Sequence, residues 1–320
     1  LGGNAMIATS MALAHAAANS SSQPLWRYLG GSNSNPLPVP EIQIFGGGAH
    51  AEGQMDLQDF MIVPFGADSF SQAMEWTGEI YRAAGKMMDS LGKRTGVADE
   101  GGYWPTFDSN EEAIETLTRV IELAGFATDS QVAISLDIAA TQLYQDGGYR
   151  LKKEDKSLST EQWYDVLANW VRRYPIIMIE DPFVEHDIAS HARFTREFGN
   201  QLQVVGDDLL VTNLNNISTA REANACNALL CKPNQAGTLS EAKQAFDAAT
   251  AAGWNTIVSA RSGETEDTTI VHLAMGWGIS QLKVGSFARS ERMAKWNEAL
   301  RLEESLGDDK LYAGGAPFGK

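Results

Sequence analysis

Short apolar runs alternate with longer amphipathic stretches along most of the chain. Six of the runs end in a charged residue, and they cover residues 132–137, 176–180, 202–207, 228–232, 256–261 and 279–283. The stretches between them, such as 161–174 and 240–252, place apolar residues at steps of three and four, which is typical of helices. This alternation predicts a parallel sheet built from βα units.

The residues that close these six runs favour one kind of parallel sheet. A doubly wound sheet would not easily bring six strand ends around one point. An α/β barrel gathers them at its carboxyl-terminal face, where barrel active sites lie. The pattern therefore favours a barrel over the doubly wound alternative.

A different pattern precedes the barrel segment. Residues 5–20 and 25–29 are predicted to be helical, and a stretch rich in Gly, Ser, Asn and Pro at 30–36 is the best linker candidate. The chain opens at Leu1 without a methionine. We expect that the start of the protein has been lost or left out.

Composition narrows the classes of partner. The net charge is -16 with a pI of about 4.7, and the sequence contains no block of Lys or Arg. These features argue against nucleic acid as a binding partner. Two cysteines, Cys226 and Cys231, make no disulfide framework and fit a reducing compartment. No apolar run reaches the roughly 18 residues of a membrane span.

Acidic side chains end three successive predicted strands, at Asp137, Glu180 and Asp207. In a barrel, the carboxylates at these positions converge. Three hard oxygen ligands with room for water and substrate are the pattern that Mg²⁺ prefers, so we predict a magnesium site here. The neighbouring Asp181 and Asp208 are expected to support the ligands or to be structural.

Cations end the other three strands. Lys232 emerges from an apolar run, and we expect burial and nearby cations to lower its pKa, which makes it a candidate general base. Lys283 is a second amine at the same rim, although a surface lysine would explain either residue alone. Arg261 and Ser262 offer a guanidinium, a hydroxyl and backbone N–H groups, which can hold a phosphate or a carboxylate.

Two glycine-containing loops carry further candidates. Glu100 lies in an acidic turn before two glycines, and burial would raise its pKa and suit it to act as a general acid. A solvated turn is the simpler interpretation of that stretch alone. His50 also lies in a glycine-rich loop, where a lone histidine is more often structural. The same structural interpretation applies to His15, His186, His191 and His272.

In their order along nearly the whole chain, these motifs resemble the enolase family. The matching segments are LGGNA (1–5), GGAHA (47–51), DEGG (99–102), LDIAA (136–140), IEDP (179–182), GDDL (206–209), KPNQAGT (232–238), SGETEDTT (262–269) and ARSER (288–292). The resemblance implies a (β/α)8-type barrel at residues 36–320. It also implies that residues 1–35 are the end of an N-terminal α+β capping domain.

The resemblance also implies an activity and a set of roles. The activity is the magnesium-dependent, reversible dehydration of 2-phosphoglycerate to phosphoenolpyruvate in glycolysis, in a cytoplasmic homo-oligomer. Enolase-superfamily enzymes use such a lysine or histidine base with one or two Mg²⁺ ions. The resemblance implies that Asp137, Glu180 and Asp207 bind Mg²⁺. It implies that Lys232 removes the C2 proton and that Glu100 protonates the C3 hydroxyl. The implied substrate-binding residues are Arg261 and Ser262 for the phosphate, Lys283 for the carboxylate, and His50, Gln58 and Asp59 for further contacts.

Several features depart from the family pattern. Ala260 stands where a histidine is usual, Asp59 where a glutamate is usual, and Gly46 where an asparagine is usual. Most of the N-terminal domain is absent, including the loop whose serine helps to bind a second Mg²⁺. Two alternatives to an enolase therefore stay open: a paralogue acting on a phosphonate or another 2-substituted acid, and a non-catalytic binding protein on an enolase scaffold.

Overall fold

The computed structural model describes residues 2–32, 35–309 and 311–320. The predicted linker at 30–36 includes positions 33 and 34, and the LGGNA segment includes position 1, so these positions lie outside the described residues. The division into residues 1–35 and 36–320 stays a prediction.

Most strands of the described chain belong to one closed sheet. In chain order the strands are β1 (Val39–Gly46), β2 (Asp59–Val63), β3 (Arg94–Val97), β4 (Tyr103–Pro105), β5 (Ala133–Asp137), β6 (Tyr144–Gln145), β7 (Gly148–Leu151), β8 (Lys156–Leu158), β9 (Ile176–Glu180), β10 (Gln203–Gly206), β11 (Ala228–Cys231), β12 (Asn255–Ser259) and β13 (Gln281–Gly285). Strand β13 pairs with β1 and closes a barrel in the order β1, β2, β5, β9, β10, β11, β12, β13. The predicted α/β barrel is confirmed.

Helices surround the barrel and connect its strands. In chain order the described helices are α1 (Gly3–Ser20), α2 (Leu25–Tyr28), α3 (Phe70–Leu91), α4 (Asn110–Leu123), α5 (Thr160–Arg173), α6 (Ile188–Phe198), α7 (Leu214–Ala223), α8 (Pro233–Ala236), α9 (Leu239–Ala251), α10 (Thr269–Trp277) and α11 (Ser290–Leu306). The predicted helices at 161–174 and 240–252 correspond to α5 and α9. Ser159 caps α5 with a reciprocal Ser–Gln capping box, and Thr238 caps α9.

The first two barrel strands were not predicted from the sequence. The six predicted strands pair in parallel, but β2 runs antiparallel to both β1 and β5. Every residue of β1 and β2 is buried, so neither strand shows the alternation of a half-exposed strand. Only a short 3-10 helix, Gly48–Ala51, lies between β1 and β2, so the βα rhythm that revealed the other strands is missing here.

The last predicted strand is placed two residues too early. Strand β13 spans Gln281–Gly285, so Lys283 lies in the middle of the strand and not at its end. Its neighbours in register are Glu41 on β1 and Ser259 on β12. Lys283 therefore reaches the site from inside the barrel, and its side chain is only 5% exposed.

Candidate active site

A cavity of about 260 Å³ opens at the carboxyl-terminal ends of the barrel strands. The predicted site residues that line it are His50, Gln58, Glu100, Asp137, Asp207, Lys232, Arg261, Ser262 and Lys283. Two others, Asp59 and Glu180, are buried directly behind this lining. The structure therefore brings together all the residues that the sequence singled out for catalysis, substrate binding and metal binding.

The barrel architecture explains why these residues meet. Asp137 and Glu180 are the last residues of β5 and β9, and they are partners in the register of that strand pair. Asp207 and Lys232 each follow directly after the next two strands. Parallel strands in register place successive ends side by side, so the four side chains form a continuous rim.

Two lysine amines bond to the three carboxylates of this rim. Lys283 Nζ donates to Asp137 Oδ2 at 2.9 Å and to Glu180 Oε2 at 2.7 Å. Lys232 Nζ donates to Asp207 Oδ2. The second oxygen of Glu180, Oε1, is buried without a hydrogen-bond partner among the described residues. The rim thus carries more acceptor atoms than the lysines satisfy.

The charges of the rim set its pKa values. Burial disfavours the charged form of Lys232, but the carboxylates of Asp207 and Glu180 outweigh burial and raise its pKa. The expected lowering of the Lys232 pKa is therefore wrong for this arrangement, because anions surround the amine more closely than cations do. Burial and the charge of Asp137 raise the pKa of Glu180 well above its usual value.

The donor set of the rim fits a hard divalent cation. Asp137, Glu180 and Asp207 offer carboxylate oxygens from adjacent strands, and the unpartnered Glu180 Oε1 is an acceptor that a cation would satisfy. Asp137, Glu180 and Asp207 do not lie close enough together to form a compact group of three. The compact acidic groups among the described residues are Asp181 with Asp207 and Asp208, and His50 with Asp59 and Glu100.

Asp181 supports this rim from behind. Its carboxylate accepts backbone N–H bonds from Asp207 at 3.1 Å and from Asp208 at 2.6 Å. These bonds hold the turn that carries Asp207 against the end of β9. A carboxylate already engaged by backbone donors agrees with the supporting role predicted for Asp181.

His50 and Glu100 form a further wall of the cavity, and Asp59 is buried behind them. His50 Nδ1 lies 3.2 Å from Asp59 Oδ1, and His50 Nε2 lies 3.9 Å from Glu100 Oε1. Burial lowers the pKa of His50, but the charges of Asp59 and Glu100 outweigh it and raise that pKa to about 9. Burial, together with the charge of Asp59, raises the pKa of Glu100, in the direction expected for a general acid.

Gln58 supports the Asp137 carboxylate. Its Nε2 donates to Asp137 Oδ2 at 3.0 Å, and its Oε1 accepts from Gln142 Nε2 at 2.9 Å. Its backbone N–H also donates to the Asp137 carbonyl at 3.1 Å. Gln58 Nε2 and Lys283 Nζ therefore donate to the same oxygen of Asp137.

The loop after β12 carries the cationic end of the cavity. Arg261 Nη1 donates to Asn234 Oδ1 at 3.1 Å. The loop itself is held by Arg292, which is fully buried and donates to the carbonyls of Arg261 at 2.7 Å and of Ser262 at 2.6 Å. The backbone of this loop is thereby fixed while the Arg261 side chain faces the cavity.

Sequence reasoning assigned no role to Arg292, Asn234 or Gln43, all of which contact site residues. Arg292 and Asn234 lie within segments that match family motifs, and their positions in those motifs could have indicated a role at the site. Gln43 lies in a strand that was not predicted, and a lone amide in an apolar run carries no chemical signature.

A closed α/β barrel with acids, amines and a guanidinium around one cavity at its carboxyl-terminal face has the architecture of a barrel enzyme. Residues 34–319 match the family model described as the enolase C-terminal TIM barrel domain. The chain is 48% identical over 315 residues to Enolase 1 of Desulfitobacterium hafniense (strain Y51), covering 98% of this chain and 72% of that protein. The chain belongs to the enolase family.

Family membership supports a lyase of the enolase superfamily. Within the described ranges, no helix combines the length and apolarity needed to cross a membrane.

Proposed function

We propose that the chain is the catalytic part of a magnesium-dependent enolase that dehydrates 2-phosphoglycerate reversibly to phosphoenolpyruvate. The observation that carries the proposal is the placement of Lys232 and Glu100, an amine and a carboxyl group, on the lining of one cavity. Dehydration of a 2-phospho-3-hydroxy acid needs a base at C2 and an acid at the C3 hydroxyl, and these two groups supply them.

The substrate is held by the cations around the cavity. Arg261 and Ser262 would bind the phosphate, and Lys283 would bind the carboxylate, since each is a donor that faces the cavity. His50 and Gln58 would contact the substrate between these ends. Arg261, Lys283 and the proposed Mg²⁺ would give a chain of net charge -16 the local positive charge that a trianionic substrate needs.

The metal would be held by Asp137, Glu180 and Asp207. Bound there, Mg²⁺ would supply the positive charge that stabilises the anion developing on the substrate carboxylate. In the proposed reaction, Lys232 removes the proton from C2 and Glu100 gives a proton to the departing hydroxyl. Lys232 must be neutral to act, whereas its ion pair with Asp207 favours the charged form in the absence of a bound cation.

The family resemblance also supports a glycolytic role, a cytoplasmic location and a homo-oligomer as parts of the same proposal. The paralogue alternative rests on Ala260, whose methyl group lines the cavity where the family has an imidazole. A smaller side chain leaves space for a different group on C2. A phosphonate analogue of the substrate is the corresponding second candidate.

The test is an assay of the chain with 2-phosphoglycerate and Mg²⁺, following the ultraviolet absorbance of phosphoenolpyruvate. Enolase 1 of Desulfitobacterium hafniense serves as the positive control. We expect turnover that Lys232→Ala and Glu100→Gln each lower by at least about 100-fold. In deuterated water, Glu100→Gln should still exchange the C2 hydrogen, whereas Lys232→Ala should not.

The exchange measurement separates the two roles. Loss of exchange in both variants would contradict the assignment of base and acid. No turnover of 2-phosphoglycerate by the chain, combined with turnover of a phosphonate analogue, would favour the paralogue. Mg²⁺ binding without turnover of either substrate would favour the non-catalytic scaffold.

A further inference from the structure

Gln43 lies behind the candidate active site with both ends of its amide engaged. The residue is on β1 and is fully buried. Its Nε2 donates to Asp59 Oδ1, and its Oε1 accepts the backbone N–H of Gly102 at 2.8 Å. Because a backbone N–H can only donate, the bond from Gly102 fixes the amide with its nitrogen toward Asp59.

This amide joins the two chain segments that carry His50 and Glu100. Asp59 Oδ1 also contacts His50 Nδ1 at 3.2 Å, so one oxygen accepts from Gln43 and from the imidazole. Gly102 follows Glu100 by two residues, in the turn where the N–H of Gly101 and the carbonyl of Gly102 both bond to Ala98. Gln43 therefore bonds to Asp59, which contacts His50, and also to the turn that carries Glu100.

The surroundings of Gln43 leave no freedom for its side chain. A Cβ atom on Gly102 would lie 2.6 Å from Gln43 Oε1. A Cβ atom on Gly46 would lie 2.4 Å from the Cβ of Ala98 and 3.2 Å from Gln43 Nε2. Gly46 and Asp59 are both smaller than the asparagine and glutamate usual in the family, and the Gln43 amide is packed against both positions.

Gln43 gives a physical reason for the aspartate at position 59, while the nearest obstacle to a side chain at position 46 is the Cβ of Ala98. Asp59 ends one methylene short of a glutamate, and Gln43 reaches its carboxylate from the neighbouring strand. Gln43 pairs with Met61 in the register of β1 and β2, two residues from Asp59, which makes Gln43 and Asp59 diagonal cross-strand neighbours. A longer acid at position 59 would collide with the amide in its present position.

We infer that Gln43 is a positioning residue, matched in length to Asp59, that holds His50 and Glu100 in their relative orientation. This inference rests on the proposed function only where its test measures kcat. The bond to Asp59 orients the carboxylate that faces His50, and the bond to Gly102 anchors the turn that presents Glu100. Gln43 itself does not line the cavity and does not contact the substrate.

The test is a double-variant cycle that moves one methylene from one partner to the other. Gln43→Asn shortens the amide, Asp59→Glu lengthens the acid, and the double variant restores the combined length. We expect each single variant to lower kcat by roughly 10- to 100-fold with little change in KM, since small misplacements of reacting groups cost about this much. The double variant is expected to recover kcat to within about threefold of the parent.

A buried glutamine at the other end of the barrel provides the matched control. Gln203, the first residue of β10, donates to Gln281 Oε1 at 3.0 Å and to the Pro317 carbonyl at 2.9 Å. Gln203→Asn also breaks a buried amide pair, so it is expected to lower the stability. It should leave kcat unchanged, because none of these groups reaches the cavity.

A second readout does not depend on catalysis. The nitrogen chemical shifts of His50 in ¹⁵N-labelled protein report the protonation of its ring and the acceptor beside Nδ1. We expect these shifts to change in both single variants and to return in the double variant, with no change in Gln203→Asn.

The outcomes separate the inference from the proposed function. A parent chain without turnover of 2-phosphoglycerate would overturn the proposed function, and the His50 shifts would still test the role of Gln43. Unchanged His50 shifts in both single variants would overturn the inference. If the losses of kcat add up in the double variant, the lengths of Gln43 and Asp59 are not matched. If Gln43→Asn and Gln203→Asn change kcat equally, Gln43 has only a structural role.

Discussion

Lys283 and Glu180 form an ion pair inside the barrel, with Nζ 2.7 Å from Oε2 and neither side chain more than 5% exposed. The same amine bonds Asp137 Oδ2 at 2.9 Å. Both oxygens belong to residues proposed to hold Mg²⁺, so the amine and the metal compete for the same acceptors. Glu180 Oε1 is open to the metal, but the amine holds one oxygen of each carboxylate and competes with the metal for those two.

Removal of the Lys283 amine gives a prediction from this competition. In chelator, Lys283→Met should lower the free energy of unfolding by about 3–5 kcal/mol, because two buried carboxylates lose their counter-ion. Saturating Mg²⁺ should restore about 2.7 kcal/mol at one hundred times its Kd. At the same Mg²⁺ concentration the parent should gain less, since its amine competes for the carboxylates and weakens the binding of Mg²⁺. Urea unfolding with chelator and with Mg²⁺ measures both quantities.

Lys295 is the matched control for this experiment. It is also fully buried, and its Nζ lies 3.0 Å from Glu264 Oε2 and 2.7 Å from the Thr265 carbonyl. Lys295→Met should lower the stability without any added response to Mg²⁺, because none of its partners is a proposed metal ligand. An equal response to Mg²⁺ in both variants would contradict the assignment of the metal site.

Glu41 lies beside Lys283 in register and gives a second prediction. Its Oε1 accepts from Ser135 Oγ, its Oε2 is buried with no partner in the part of the chain that the structure describes, and burial raises its pKa. A buried polar pair of this kind is often less stable than an apolar pair of similar volume. Glu41→Met combined with Ser135→Ala should raise the free energy of unfolding by about 1–3 kcal/mol. A less stable double variant would mean that Glu41 stabilises Lys283.

Two glycines of α3 offer a matched pair of substitutions. A Cβ atom on Gly78 would meet no atom within 4 Å, so Gly78→Ala should raise the free energy of unfolding by about 0.5–1 kcal/mol through helix propensity. A Cβ atom on Gly85 would lie 2.3 Å from the hydroxyl of Tyr103. Gly85→Ala should therefore lower the stability by about 1–3 kcal/mol.

Gly85→Ala should also lower kcat, because Tyr103 supports the Glu100 turn. The ring of Tyr103 stacks on Tyr81 at 4.4 Å between centroids, and Tyr81 Oη donates to the Gly101 carbonyl at 3.1 Å. Thermal unfolding and the enolase assay on both variants check the pair. A Gly85→Ala variant as stable as Gly78→Ala would show that Tyr103 moves aside without cost.

The convergence of the site could be predicted from the sequence because it follows from strand ends. A residue that closes a buried parallel strand must lie at the carboxyl-terminal face, whatever the fine geometry, so Asp137, Glu180 and Asp207 could be grouped without coordinates. The same rule wrongly placed Lys283 at the end of its strand, because an apolar run of four residues does not show where the strand ends.

The interactions behind the site could not be predicted in this way. The pKa of Lys232 depends on which charges lie nearest, and the sequence gives their presence but not their distances. Gln43 acts through hydrogen bonds to Asp59 and to a backbone N–H, and these partners come from different parts of the chain. Such contacts depend on the register of β1 against β2, a strand pair with no periodic signal.

His191 gives the last prediction, on stability in acid. The ring is fully buried against Phe183, with Nε2 3.1 Å from the Phe183 carbonyl and Nδ1 without a partner among the described residues. Burial lowers its pKa to about 4, from about 6.5 in an unfolded chain. Between these two values the unfolded chain binds more protons than the folded one. The contribution to stability is therefore complete above pH 6.5 and is lost as the pH falls toward 4.

At pH 5 this residue alone should cost about 2 kcal/mol relative to pH 7. His191→Phe removes the titrating group and leaves an aromatic ring beside Phe183. Urea unfolding at pH 7 and pH 5 should show a smaller drop for His191→Phe than for the parent, by about that amount. Equal drops in the two proteins would mean that His191 takes up a proton in the folded state as readily as in the unfolded chain.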